Sequence, residues 1–174
     1  SNSGYKVAVI DADPQKSLTY WLSERKKYYG ADDIGINFYN FDIRNLAVEV
    51  KKIKRKYDFI IIDSPPAITF ETLQIIKASN GVFVPVQPSP LDLMATLPFL
   101  QIAREERKKP LIILNRVMPR AKLTDAMILR LRYSGAKIAR SRISSKVIFA
   151  ESFAVGRGVI DINVTSDAAK EIIN

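Results

Sequence analysis

Short, wholly apolar runs that end in an acid recur along this chain and constrain its fold most. Phe59–Asp63 reads FIIID, and Lys6–Asp11 reads KVAVID with an acid at its end. Val82–Val86 and Leu111–Asn115 are similarly apolar. A strand with no polar alternation is buried on both faces, which is the habit of parallel sheets covered by helices. The intervening segments carry helical spacing. Asn45–Tyr57 places Leu46, Val50, Ile53 and Tyr57 on one face, and helices are also expected over Gln15–Lys27, Glu71–Ser79, Leu91–Lys108, Thr124–Tyr133 and Ser166–Ile173. Pro98 is expected to break or kink the helix from Leu91, and Ser166 to cap the last one. Further strands are expected over Ile36–Phe41 and Lys137–Ile143. Alternation of this kind predicts an α/β fold: a doubly wound, mostly parallel sheet with helices on both faces.

The 174 residues suit one domain, residues 1–174, with no internal repeat, low-complexity segment or linker. Asn2-Ser3-Gly4 has the form of a helix end without a helix before it, so the reading expects an upstream helix and a strand before that. The chain has no Cys and no His. Disulfides, thiolate-held zinc or iron–sulfur centres and imidazole catalysis are therefore excluded, and any metal must be a hard cation held by oxygen, magnesium first. No apolar run reaches the length of a membrane span, and stable membrane insertion is not expected.

Charge is concentrated. The net charge is +9, yet Arg104–Lys146 holds 13 Lys/Arg against 3 Asp/Glu, a net of +10. Such localisation points to a polyanion, with nucleic acid first. Arg140, Arg142 and Lys146 are the sharpest candidates for DNA phosphate contact, within a set that includes Arg104, Arg107, Lys108, Lys109, Arg116, Arg120, Lys122, Arg130, Arg132 and Lys137. Tyr20, Trp21, Tyr28 and Tyr29 are expected to pack in a core or interface.

Three motifs can carry chemistry. Asp11-Ala12-Asp13-Pro14-Gln15 puts two carboxylates at a strand's carboxyl end, where open α/β sheets bind ligands. The alternatives are a cation or water site, or Asp13 capping the next helix while Asp11 merely ends the strand. Asp63, closing FIIID, has the form of an acid that holds magnesium beside nucleotide phosphates, or else caps a loop. Val84-Pro85-Val86-Gln87-Pro88-Ser89-Pro90-Leu91-Asp92 is a rigid strand-to-helix connection able to hold a ligand or partner at low entropic cost.

In order and spacing, GYKVAVIDADPQKSLTYW, YDFIIIDSPPA, VFVPVQPSPLDL and LIILNRV resemble the ParA/MinD family of deviant Walker ATPases, and most of all its small ParF-like plasmid or chromosome partition members. The resemblance implies a P-loop NTPase-like fold lacking the first strand and helix, and the activity of an ATPase that converts ATP and water to ADP and phosphate with ATP and Mg2+ as cofactors. It implies that Asp13 orients the attacking water, and that Asp11 and Asp63 support the magnesium shell. It places Asn115 and Arg116 near the adenine, Pro88, Ser89 and Pro90 at the nucleotide and dimer border, and Ser144–Val147 at the adenine pocket. It further implies a homodimer formed on ATP, non-specific DNA and a centromere-binding protein as partners, and a cytoplasmic, nucleoid-associated setting. A MinD-like membrane-cycling ATPase that positions the division site and a degenerate, nucleotide-free DNA-binding scaffold are the alternatives. A receiver module is disfavoured, because Arg116 rather than Lys follows the strand ending at Asn115. The family's Lys-Gly-Gly-x-Gly-Lys-Ser/Thr loop is absent from these 174 residues, so ATP binding by this stretch by itself is expected to be poor.

Overall fold

The computed structural model describes residues 4–30, 34–119 and 122–173. Asn2, Ser3 and Arg120 lie outside the described residues, and so does the side chain of Lys122. Gly4 takes φ +76°, a left-handed conformation.

The chain divides into two compact units. One comprises the residues up to Ser79 together with Phe153–Arg157; the other comprises Asn80–Ser152 and the residues from Gly158 onward. Each unit has its own sheet and core, which is the physical reason for the division.

The first unit holds β1 (Val7–Asp11), β2 (Asn37–Tyr39) and β3 (Phe59–Asp63) in the order β2-β1-β3, all parallel. Its helices are α1 (Ser17–Tyr29), α2 (Leu46–Ile53), preceded by a 3-10 turn at Ile43–Asn45, and α3 (Phe70–Ala78). Ile10, Ala12, Leu46 and Ile75 form the core, with Ile60 and Ile62 of β3 packed against it. Phe59 and Ile61 alternate to the opposite face and stay about half exposed, at 54% and 56%.

Segment Phe153–Arg157 joins this unit by packing on α1. Trp21 Nε1 donates to the Arg157 carbonyl at 3.3 Å, and Arg25 Nη1 donates to the Gly156 carbonyl at 3.1 Å. The Arg25 guanidinium lies over the rings of Trp21 and Tyr29, and that of Arg157 over Tyr28. Gly156, at φ +66°, runs so close to the α1 backbone at Arg25 that a Cβ there would collide with it. Trp21, Tyr28 and Tyr29 take part in this packing, while Tyr20 stays 52% exposed.

The second unit holds β4 (Phe83–Val86), β5 (Leu111–Val117) and β6 (Lys137–Ser144) in parallel, order β4-β5-β6. Its helices are α4 (Pro90–Glu105), α5 (Lys122–Tyr133), α6 (Val147–Ala154, whose end crosses into the first unit), α7 (Val159–Ile162) and α8 (Asp167–Ile173). Val86, Leu93, Leu100, Ile112, Leu114, Val117, Met127, Ile128 and Leu131 make its core. Of the break or kink expected at Pro98, the break does not occur: α4 runs from Pro90 to Glu105 with Pro98 inside it. The expected cap does, since Ser166 Oγ accepts from the Ala169 amide at 3.2 Å. No helix among the described residues is long and apolar enough to cross a membrane.

Leu131 is fully buried at the α5 contact with this core. Leu131→Ala should cost about 2–5 kcal/mol through lost transfer energy and the cavity left behind. The check is a lower midpoint for the second unit's transition in urea unfolding followed by circular dichroism.

Candidate functional site

The acids of the first unit gather because its sheet is parallel and in register. Asp11 of β1 sits directly beside Asp63 of β3, and the Ala12 amide donates to the Asp63 carbonyl at 2.9 Å. Two residues on, Asp13 follows in the turn leaving β1.

Asp11 is completely buried, yet its charge is fully partnered. Oδ1 accepts from the Asp13 amide at 3.2 Å, and Oδ2 accepts from both the amide (2.9 Å) and the hydroxyl of Thr19. Thr19 lies in the first turn of α1, whose own N-cap residue, Lys16, offers no side-chain bond. The carboxylate at the end of β1 thus caps α1 from a distance and meets the positive end of the helix dipole. Through these bonds Asp11 holds the loop.

Asp13 is differently placed. It is half-buried; Oδ1 accepts from the Gln15 amide at 2.8 Å, and Oδ2 has no hydrogen-bond partner among the described residues. Asp63 is also half-buried. Burial pushes its carboxyl above the usual carboxylate range, the negative charges of Asp11 and Asp13 push it further, and the Ser64 amide opposes them. Like charges crowded in this way are relieved by a cation. Among the described residues, however, no three acids are arranged to hold an ion directly, so a cation here would be held largely through water or by a ligand's own oxygens.

Lys16 escaped the sequence reading. It adopts φ 54°, a left-handed conformation that costs a non-glycine residue about 1–3 kcal/mol and tends to persist at functional loops. Its Nζ donates to the Asp11 carbonyl at 3.0 Å and to Asn40 Oδ1 at 3.4 Å. Its placement in a motif loop was the only available signal, since nothing in its residue type announces a positive φ.

The second unit carries the remaining sequence candidates. Ser89 caps α4: its Oγ accepts from the Asp92 amide at 3.1 Å and donates to Asp92 Oδ1 at 3.0 Å, while Asp92 Oδ2 accepts from the Gln87 amide at 2.9 Å. With Pro90 at the first helical position and Pro88 in the turn, this connection is rigid. Asn115 Oδ1 accepts from the Arg116 amide at 2.9 Å, and Arg116 takes φ 52° where the pairing of β5 with β6 turns irregular. Ser144 donates its amide and hydroxyl to Glu171 at 2.9 and 2.8 Å, and Lys146 Nζ pairs with the same carboxylate at 2.7 Å. Burial raises the Glu171 pKa, but these donors outweigh it and hold the group below its ordinary value. Lys146 is thus tied to α8 through Glu171. Arg140 and Arg142 are exposed and have no ion pair among the described residues.

An acid whose pKa is raised by folding weakens the fold. The folded chain keeps its proton to higher pH than the unfolded chain, so stability falls as pH rises through the folded-state pKa. Asp63→Asn removes that penalty. Without added metal, its urea midpoint should exceed the parent's at pH 7, and the two should converge below about pH 4, where the carboxyl is protonated in both states. Equal midpoints at pH 7 would refute the crowding.

Residues 40–113 match the AAA_31 family, an AAA domain. Maintenance of carboxysome distribution protein A of Halothiobacillus neapolitanus is 25% identical over 97% of this chain and 80% of its own length. ParA family protein MG470 of Mycoplasma genitalium is 24% identical over 82% of this chain, which spans only 55% of that relative. Among solved structures, apo McdA from Cyanthece superposes with a TM-score of 0.81 at 18% identity, covering 98% of this chain and 86% of that one. MinD of Pyrococcus horikoshii, solved with Mg-ADP, gives 0.76 at 18%, covering 99% and 82%. The order of the strand-end motifs, these relatives and the shared α/β fold converge: the chain is similar to the ParA/MinD group of partition and positioning ATPases and shares their fold.

Proposed function

We propose that this chain supplies the water-orienting and metal-facing side of an ATP-hydrolysing partition switch, together with its DNA-facing surface. The observation that carries the proposal is the gathering of Asp13 and Asp63 beside a buried Asp11 at the carboxyl ends of two paired strands. The residues present fit one side of a magnesium–nucleotide group: crowded carboxylates that a cation would relieve. The phosphate cradle of backbone amides and lysines is not among these 174 residues.

Phosphoryl transfer needs positioning and electrostatics more than covalent chemistry. A bound magnesium–ATP would supply the electrophilic phosphorus and neutralise charge developing on its oxygens. Asp13 would accept a hydrogen bond from the attacking water through its unpartnered oxygen. Asp11 keeps Asp13 in place through the amide it holds, and Asp63 would take up water of the metal shell. In the second unit, Asn115 and Arg116 would border the base, with Ser144 behind them fixed by Glu171. Pro88, Ser89 and Pro90 would form a stiff edge for the nucleotide and for a second copy of the chain, which assembles when ATP is bound.

The basic surface is the output. Relatives are named for carboxysome distribution and for the ParA family, and a nucleotide-gated grip on DNA that a partner protein releases would serve either kind of cargo. The partner would act at a centromere-like site if the cargo is a plasmid or chromosome.

Two measurements test these roles. In the protein carrying a phosphate-binding loop ahead of this stretch, Asp13→Ala should retain ATP binding and lose at least about a hundredfold in hydrolysis, the scale of a lost acid–base or water-positioning group. Unchanged turnover would reject the assignment. Arg140→Ala with Arg142→Ala should weaken binding to DNA of any sequence and lower the slope of log affinity against log salt by about 2. Retention of DNA at the same salt as the parent would show the patch to be misassigned.

A further inference from the structure

The turn that carries Asp13 is closed by a residue to which the roles above give no part. Lys16 takes φ 54° and ψ 31° at the head of α1, a left-handed conformation that residues other than glycine seldom adopt. It stands at the N-cap position, yet its side chain caps nothing there. Glycine would meet the backbone requirement without strain, so whatever a lysine adds at this point comes from its side chain.

That side chain is half-buried and reaches back along the turn. Nζ donates to the Asp11 carbonyl at 3.0 Å and to Asn40 Oδ1 at 3.4 Å. The Asp11 carbonyl lies just beyond the last rung of β1 with β2, which pairs Ile10 with Tyr39. The amide of the same peptide, that of Ala12, donates to Asp63 on β3. A planar trans peptide directs its two polar groups oppositely. The carbonyl therefore faces the β2 side, and there the Lys16 ammonium stands in for a strand amide. The main chain of Lys16 completes the closure. Its amide donates to the Asp13 carbonyl at 3.0 Å, and its carbonyl accepts from the Tyr20 amide at 3.0 Å, which starts α1. Lys16 has no ion pair among the described residues, so neutral oxygens alone hold its charge.

We propose that Lys16 is a positioning residue for Asp13: its ammonium ties the turn to the end of β1, its amide fixes the Asp13 carbonyl, and the open oxygen of Asp13 is thereby aimed at the attacking water. The inference rests on the reading of Asp13 above and deepens it. Asp13 is pinned from both directions. Asp11 Oδ1 takes its amide at 3.2 Å, Lys16 takes its carbonyl, and the Gln15 amide takes its Oδ1 at 2.8 Å, which leaves Oδ2. The amides of Gln15 and Lys16 would be present with almost any residue at those positions, whereas the tie to β1 needs a cation of this reach. Its loss matters because misplacing a catalytic group by about 1 Å can cost a hundredfold in rate.

The test uses Lys16→Gly, Lys16→Met and Lys16→Arg in the protein carrying a phosphate-binding loop ahead of this stretch, with thermal melts to establish that each variant folds. Glycine eases the left-handed backbone but removes the ammonium, methionine removes it at similar length, and arginine keeps a cationic donor. Lys16→Gly and Lys16→Met should lower kcat about ten- to a hundredfold while KM for ATP changes less than about threefold, the pattern of a lost transition-state interaction. Lys16→Arg should recover most of that loss. Independently of turnover, amide hydrogen exchange across residues 12–16 of the nucleotide-free protein should be faster in the glycine and methionine variants than in the parent. Turnover at the parent level in Lys16→Gly would overturn the inference and reduce Lys16 to a backbone conformation. Parent-like exchange in both variants, or an arginine variant no faster than methionine, would also overturn it. If Asp13→Ala loses hydrolysis while Lys16→Met keeps it, the inference fails alone; if Asp13→Ala keeps hydrolysis, the reading beneath it fails too.

Discussion

A single buried carboxylate organises the first unit's site. Asp11 has no exposed surface, and it holds a charge there only because two amides and a hydroxyl donate to it. Removing those donors would leave an unpaired ion in the interior, which costs several kcal/mol. The constraint runs both ways. Helix α1 must begin where Thr19 reaches Asp11, and Asp13 must turn so that its amide points back. The chain accepts a left-handed Lys16 to achieve this. The strand end, the turn and the helix start are consequently one rigid piece, and the more exposed acids, Asp13 and Asp63, inherit their positions from it.

Division of labour among the acids follows from burial. Asp11 is buried and holds the loop through three accepted hydrogen bonds. Asp13 keeps an oxygen available, and Asp63 is crowded by both neighbours and by burial. A site whose acids repel one another when no cation is present is poised to favour a bound cation, because binding relieves a cost already present in the fold. The second unit handles charge in the opposite way. Its basic residues outnumber its acids, and two of them, Lys146 and Lys170, fix α8 against β6 and close its first turn.

Much of this was legible in the sequence, for physical reasons that differ by element. β3 falls at Phe59–Asp63 as expected, because four apolar residues closed by an acid leave no competing register. Helix α1 starts at Ser17 rather than Gln15, since the turn that serves Asp11 occupies Pro14–Lys16. β5 extends to Val117, two residues past the expected end, by tolerating an irregular stretch around Arg116. Helices α6 and α7 were not anticipated. VIFAESFA is apolar on nearly every side and shows no helical period, and a four-residue helix at Val159–Ile162 has too little length to show one. At the site, the acids could be named from spacing, but the capping role of Asp11 depends on Thr19, eight residues away, and the pairing of Lys146 on Glu171, twenty-five away. Contacts of that range leave no local pattern.

The strap from Phe153 to Arg157 has a consequence for how the molecule is made. Trp21 finds its carbonyl partner 136 residues further along the chain, and the glycine that allows the close approach is nearly as distant. Translation at about 5–20 residues per second would leave the outer surface of α1, with its indole and tyrosines, waiting roughly 7–30 seconds for its cover to emerge. In that interval a ribosome-bound intermediate would display an aromatic stripe. Such surfaces are what chaperones recognise, so the growing polypeptide is open to aggregation until the strap has been made.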